Sequence, residues 1–89
     1  MARIEFTTNI QRHVECPVEI LLASTLDELL TAYFARHPRA RSYVLDDQGA
    51  LRHHMVIFVD GSMIDDRVHF SEALMAESEV HVFQALSGG

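Results

Sequence analysis

Lysine is missing from this chain of 89 residues: all seven basic side chains are arginine. There is also no tryptophan, one cysteine, two prolines and four glycines. Each scarcity excludes something. A lone Cys16 cannot form an intramolecular disulfide and leaves no Cys-rich zinc motif, which fits a reducing, cytoplasmic setting. No apolar run approaches the roughly 18 residues of a transmembrane helix. Met1-Ala2-Arg3-Ile4-Glu5-Phe6 lacks an uninterrupted signal-peptide core. Thirteen carboxylates against seven arginines give a formal charge of −6. That balance disfavours phosphate neutralisation on a nucleic acid and docking on an anionic membrane. The length sets one small domain, with roughly 60–65% of the unfolded surface buried and no room for a deep interdomain cleft.

What is present reads as α+β. Ala2 to Thr8 alternates, with Ile4 and Phe6 on one face and Arg3, Glu5 and Thr7 on the other, as a half-buried strand does. Asn9–Arg12 reads as a turn. Val14, Cys16, Val18 and Ile20 then alternate with His13, Glu15, Pro17 and Glu19, so a second strand forms a hairpin with the first. Pro17 places that strand at a sheet edge.

A helix follows, capped by Thr25 with Glu28 completing a capping box and Ser24 as the alternative cap. Its apolar stripe is Leu26, Leu29, Leu30, Tyr33 and Phe34, and Pro38 ends it. Arg39–Leu45 fits either a short helix or a turn. Leu51–Val59 is the strongest strand, closed by the hairpin dipeptide Asp60-Gly61, with a short return over Ser62–Ile64. Asp65–Ser78 has no clean period; Phe70 and Leu74 are its expected core contacts. A last strand runs from about Val80 to Leu86 and is able to pair in parallel with the first, given the long chain between them. One crossover helix among strands predicts a sheet with the helix on one face. The expected division is a domain over residues 1–86 and a flexible tail over 87–89.

That tail, Ser87-Gly88-Gly89, carries the chemistry. Its two glycines, without Cβ atoms, let it enter a narrow channel and adopt backbone angles closed to other residues. The group it delivers is an α-carboxylate, a poor electrophile that another protein must first activate, for instance as an acyl-adenylate. Neither a P-loop nor a G-x-G-x-x-G is present, so the chain does not itself bind ATP by those motifs.

The segment His54-Met55-Val56-Ile57-Phe58-Val59-Asp60-Gly61, the ending Glu79-Val80-His81-Val82-Phe83-Gln84-Ala85-Leu86-Ser87-Gly88-Gly89 and the helix from Thr25 to Pro38 together resemble the MoaD/ThiS family of ubiquitin-like β-grasp sulfur carriers. The resemblance spans nearly the whole chain. It implies a mixed sheet of four to five strands with one main helix, and a carrier that catalyses nothing itself. It also implies that Gly89 is adenylated and converted to a thiocarboxylate, with Gly88 as slim passage. Implied partners are a ubiquitin-activating-type adenylating enzyme that uses ATP and magnesium, a sulfurtransferase or desulfurase, and a sulfur-accepting synthase. No cofactor is expected on the carrier. Molybdopterin, cysteine, thiolated tRNA or another sulfur-containing metabolite are the candidate acceptors; a ubiquitin-like binding module or a protein modifier is the alternative. The chain departs from the family pattern in Asp60, where Asn is usual, in having no glycine within Ala73–Glu79, and in Gln84-Ala85, where molybdopterin-type carriers often have prolines.

Period-2 logic, independent of that resemblance, nominates a docking face. Met55, Ile57 and Val59 share one side with the helix, leaving Val56 and Phe58 on the other, and His81 and Phe83 on that same open side of the last strand. Clustered exposed apolar groups mark binding surfaces. Other candidates point elsewhere. His53 and His54, adjacent on a strand, face opposite ways. His13, His37, His69 and His81 have no metal-ligand spacing. Asp46-Asp47 and Asp65-Asp66 read as solvated turn residues. Cys16 reads as a small buried hydrophobe. The absence of lysine leaves an activated Gly89 no ε-amine on a sister molecule, only the Met1 α-amine.

Overall fold

The computed structural model describes residues 1–85. Strand β1 (Ala2–Phe6) buries Ala2, Ile4 and Phe6 and leaves Arg3 and Glu5 half-exposed, as its alternation requires. Helix α2 (Leu26–Arg36) buries all five residues of the apolar stripe. Each contributes roughly 1.5–3 kcal/mol of burial before conformational entropy is counted. Thr25 Oγ1 accepts the Glu28 N–H at 3.2 Å, and Glu28 Oε1 accepts the Ser24 N–H at 2.8 Å. The reciprocal arm of the capping box therefore reaches one residue further back than the pattern implies. Two more amides of the first turn, those of Leu26 and Asp27, donate to the carbonyls of Glu72 and Phe70. The aperiodic segment before the last strand thus closes the N-terminus of the helix, with Phe70 buried and Leu74 packed against the core.

His37 caps the C-terminus of α2, and Pro38 begins α3 (Pro38–Val44) at its first turn. This decides Arg39–Leu45 in favour of a helix, because proline at N1 presets φ and needs no donor. Strand β3 (Met55–Val59) turns into β4 (Ser62–Met63) through Asp60 (φ 49°) and Gly61 (φ 86°). Two successive positive φ values are what a two-residue hairpin demands. Strand β5 (Glu79–Gln84) stops before Ala85, the last described residue, short of the expected end near Leu86; Leu86 and the expected tail boundary lie outside the described residues.

With β2 (Glu19–Leu21), the strands form one sheet in the order β2-β1-β5-β3-β4. β1 and β5 pair in parallel, Ile4 opposite Val80 and Phe6 opposite Val82; the other pairings are antiparallel. The core lies between one sheet face (Ile4, Phe6, Met55, Ile57, Val80, Val82) and α2.

Three expectations need correction. Asn9–Arg12 is not a simple turn: Thr8–Gln11 forms a one-turn helix, α1, that buries Ile10. The second strand is short and its phase is reversed. Cys16 is buried, but Val18 and Ile20 are exposed, while Glu19 turns inward. The cause is polar. Glu19 meets His37 and lies 3.0 Å from Arg36 Nε at the C-terminus of α2, and the Pro17 carbonyl accepts the Tyr33 hydroxyl at 2.7 Å. Finally, Leu51–His54 is not strand. Leu51 bridges to Leu45, and Arg67 Nη2 donates to the carbonyls of Arg52 and Met55, both at 2.7 Å.

Where the sequence offers no glycine ahead of β5, serine and aspartate do the turning. Ser78, 1% exposed, accepts the Met75 N–H at 2.7 Å and donates to Asp60 Oδ2 at 2.8 Å. Asp60 Oδ1 accepts the Glu79 N–H at 2.8 Å. That backbone bond, with the Ser78 hydroxyl, holds the Asp60 carboxyl below the usual carboxylate range.

Candidate functional site: the open sheet face

The face of the sheet away from α2 has two characters. Along β1 and β5 runs a charged band. Arg3 lies 3.0 Å from Glu5 and 3.6 Å from Glu79, and His81 Nε2 lies 3.6 Å from Glu5. Beside it, on β3, β4 and the end of β5, the surface is apolar. Val56 stands opposite Phe83 in the β3–β5 register and Phe58 opposite His81. The Phe58 and Phe83 rings meet edge-to-face, centroids 5.4 Å apart at 74°, and His81 lies 6.3 Å from Phe83. These four side chains, with Gly61, Gln84 and Ala85, line a shallow depression of about 550 Å³.

The structure brings together all four residues nominated for this face, Val56, Phe58, His81 and Phe83. Phe83 is 40% exposed and Phe58 half-buried, whereas Phe6, Tyr33, Phe34 and Phe70 are hidden in the core. Sequence reasoning missed Met63, 56% exposed and directly opposite Phe58 on β4. The signal was there: a two-residue turn at Asp60-Gly61 pairs Val59 with Ser62, and so Phe58 with Met63. Gly61 was likewise read only as a turn residue, yet it forms part of the depression. The nominated covalent residue Gly89 and the tail residues Ser87 and Gly88 lie outside the described residues.

The alternative sites do not assemble. Among the described residues no group of three His, Cys, Asp or Glu side chains is placed to hold a metal ion. His53 and His54 sit in the turn before β3 rather than on a strand, with rings 6.0 Å apart at 88°. Cys16 is buried, and burial pushes its thiol pKa up, away from the thiolate that nucleophilic chemistry needs. Burial also raises the Tyr33 phenol, with smaller contributions from Cys16, Glu19 and Glu15. Glu19 is held below the usual carboxylate range by His37, with Arg36 adding to it against an opposing push from burial. That cluster ties β2 to α2 and is structural. Among the described residues no helix is long and apolar enough to cross a membrane.

Chemically, an apolar depression beside a self-compensated charge band suits a protein surface. It offers aromatic area for desolvation and few groups able to act on a bound substrate. It flanks Gln84 and Ala85, the last described residues before Gly88 and Gly89.

Comparison with known proteins agrees with this picture. A family model described as the ThiS family matches residues 7–89. Among solved structures, small archaeal modifier protein 1 from Haloferax volcanii superposes with a TM-score of 0.80 at 22% identity, covering 99% of this chain and 98% of that one. A chain of the BexX/CysO complex from Amycolatopsis orientalis gives 0.81 at 12% identity, covering 100% of both. Small archaeal modifier protein 1 from Methanosarcina acetivorans gives 0.78 at 16% identity, covering 99% of this chain and 95% of that one. At these identities the likeness shows a shared fold, the ubiquitin-like β-grasp. A comparison with curated protein sequences finds no match.

Proposed function

The chain belongs to the ThiS family, and from that premise we propose that it is a sulfur carrier whose Gly89 carboxylate is activated by a separate adenylating enzyme. The observation that carries the reading is the apolar depression at Val56, Phe58, His81 and Phe83, placed where β5 leads toward the terminal Gly88 and Gly89. Docking there brings the carboxylate to the partner's nucleotide. A carboxylate oxygen attacks the α-phosphorus of ATP, held with magnesium by the partner, and pyrophosphate leaves. The persulfide of a sulfurtransferase or desulfurase then attacks the acyl-adenylate and expels AMP, and a thiol cleaves the resulting acyl disulfide, forming a disulfide with the donor cysteine and leaving a thiocarboxylate on Gly89. A sulfur-accepting synthase consumes it. The chain contributes a docking surface and the reacting carboxylate; the partners contribute the catalysis.

ATP–pyrophosphate exchange with the adenylating enzyme from the source organism tests the activation step. Exchange is expected with the full chain and not with a chain lacking Gly88 and Gly89. Equal exchange with both, or none with either, contradicts the reading.

A second reading has its own support: two of the superposing structures are named as modifier proteins. As a modifier, the same activated Gly89 would be attacked by a lysine amine of another protein. Conjugates larger than the free chain would favour it, and free thiocarboxylate without conjugates would favour the carrier.

A further inference from the structure

The end of β5 is held by two contacts, neither of them on the docking face. By alternation the Gln84 side chain lies on the same side as Val80 and Val82, opposite buried Met55. There Tyr43, on α3, donates its hydroxyl to Gln84 Oε1 at 3.0 Å. The Tyr43 ring is steadied in turn by His13, which stacks on it with centroids 5.6 Å apart and planes at 17°. One residue further on, the Ala85 N–H donates to the His54 carbonyl at 2.7 Å. The last two described residues are thus fixed twice, the side chain of one by α3 and the backbone of the other by the start of β3. Neither bond belongs to the core, and both side chains of the Tyr43–Gln84 pair are only half-buried. Both bonds act on the residues that immediately precede Leu86.

We propose that Tyr43 is a positioning residue for activation of the Gly89 carboxylate, acting through Gln84; this rests on the function proposed above. Three residues separate Ala85 from Gly89, a reach of at most about 14 Å over four Cα steps, so a swing of about 10° at the root shifts the volume open to the far end by about 2 Å. A displacement of that size takes the carboxylate out of line with the α-phosphorus, and misplacement on this scale lowers rates strongly. Because Tyr43 lies across the sheet from Val56, Phe58 and Phe83, its hydroxyl acts on the chemical step and not on docking.

The test compares the full chain with Tyr43→Phe, which keeps the ring and its stacking on His13, and with Gln84→Ala and the double variant. The readouts are ATP–pyrophosphate exchange with the adenylating enzyme, thermal unfolding, and hydrogen exchange at the Ala85 amide. The expected result is a kcat about tenfold lower for Tyr43→Phe with KM for the carrier unchanged. The midpoint should shift by only a few degrees and the Ala85 amide should exchange faster. The double variant should lose no more than either single one, since both remove one contact. If Tyr43→Phe does not fold, kcat and Ala85 exchange in Gln84→Ala carry the comparison, without its KM, because Gln84 also lines the docking depression. An unchanged kcat, a rise in KM alone, or additive losses overturn the proposal while leaving the function standing. No exchange with the unaltered chain overturns both.

Discussion

Phe58 and Phe83 owe their position to parity: one residue earlier or later on their strands, each would point into the core beside Ile57 or Val82. Parity is the most legible property of a strand, which is why Val56, Phe58, His81 and Phe83 could be placed on one face from the sequence alone. It is also why a charge there should leave folding intact. Phe58→Asp should unfold at nearly the same temperature as the parent chain, yet support no detectable ATP–pyrophosphate exchange; unimpaired exchange would remove this face from the account. Asp66 illustrates what parity cannot show. It accepts the Val68, His69 and Ser71 N–H groups and the Ser71 hydroxyl, at 2.6 to 3.2 Å. Those bonds, the Ser71 hydroxyl first, push its pKa well down. A depressed folded-state pKa contributes stability above the unfolded value, about 3.9, that is lost as pH falls. Asp66→Ala should therefore unfold at a lower temperature than the parent at pH 7. The gap should narrow as pH drops below about 4, and a gap independent of pH would contradict this. The sequence presents Asp65-Asp66 only as a loop doublet, because the bonds come from loop geometry with no period to betray it.

Elements whose character rests on a single period read correctly: β1, α2, and the β3–β4 hairpin with its Asp60-Gly61 turn. The Thr25 cap was legible too, and its loss is measurable. Thr25→Ala should cost about 1 kcal/mol in urea unfolding, and no loss would mean that the Glu72 and Phe70 carbonyls close the helix unaided. The second strand misled because two periods overlap there. Val14, Cys16, Val18 and Ile20 alternate well enough to look like one strand, but Cys16 and Ile20 belong to different pieces of backbone. Inward placement of Glu19 beside His37 and Arg36 outweighs the apolar preference of Ile20, a tertiary contact that no local pattern encodes. The same holds for the start of the predicted third strand. Arg67, from a distant loop, takes the carbonyls of Arg52 and Met55, and the strand begins only at Met55.

At the scale of the molecule, the parallel pairing of β1 with β5 is what makes a small chain useful. It joins the two ends of the sequence at the centre of the sheet and leads β5 toward the C-terminus along the apolar side of the open face. Its likelihood was visible in the long chain between the strands; the role of α3 at the root of the tail was not, because Tyr43 and Gln84 meet only after folding. A charge of −6 on such a scaffold favours association with basic partner surfaces. The absence of lysine removes every ε-amine through which an activated copy could acylate a sister copy. Whether Gly89 is acted upon by a partner is decided by the intact mass of the protein. The chain is incubated with its adenylating enzyme, ATP, magnesium and a sulfur donor, and the C-terminal peptide is then sequenced by fragmentation. The expected result is a mass gain equal to one oxygen replaced by sulfur, located on Gly89 and absent without ATP. An unchanged mass under conditions where the enzyme turns over ATP, or sulfur found on Cys16 instead, would contradict it.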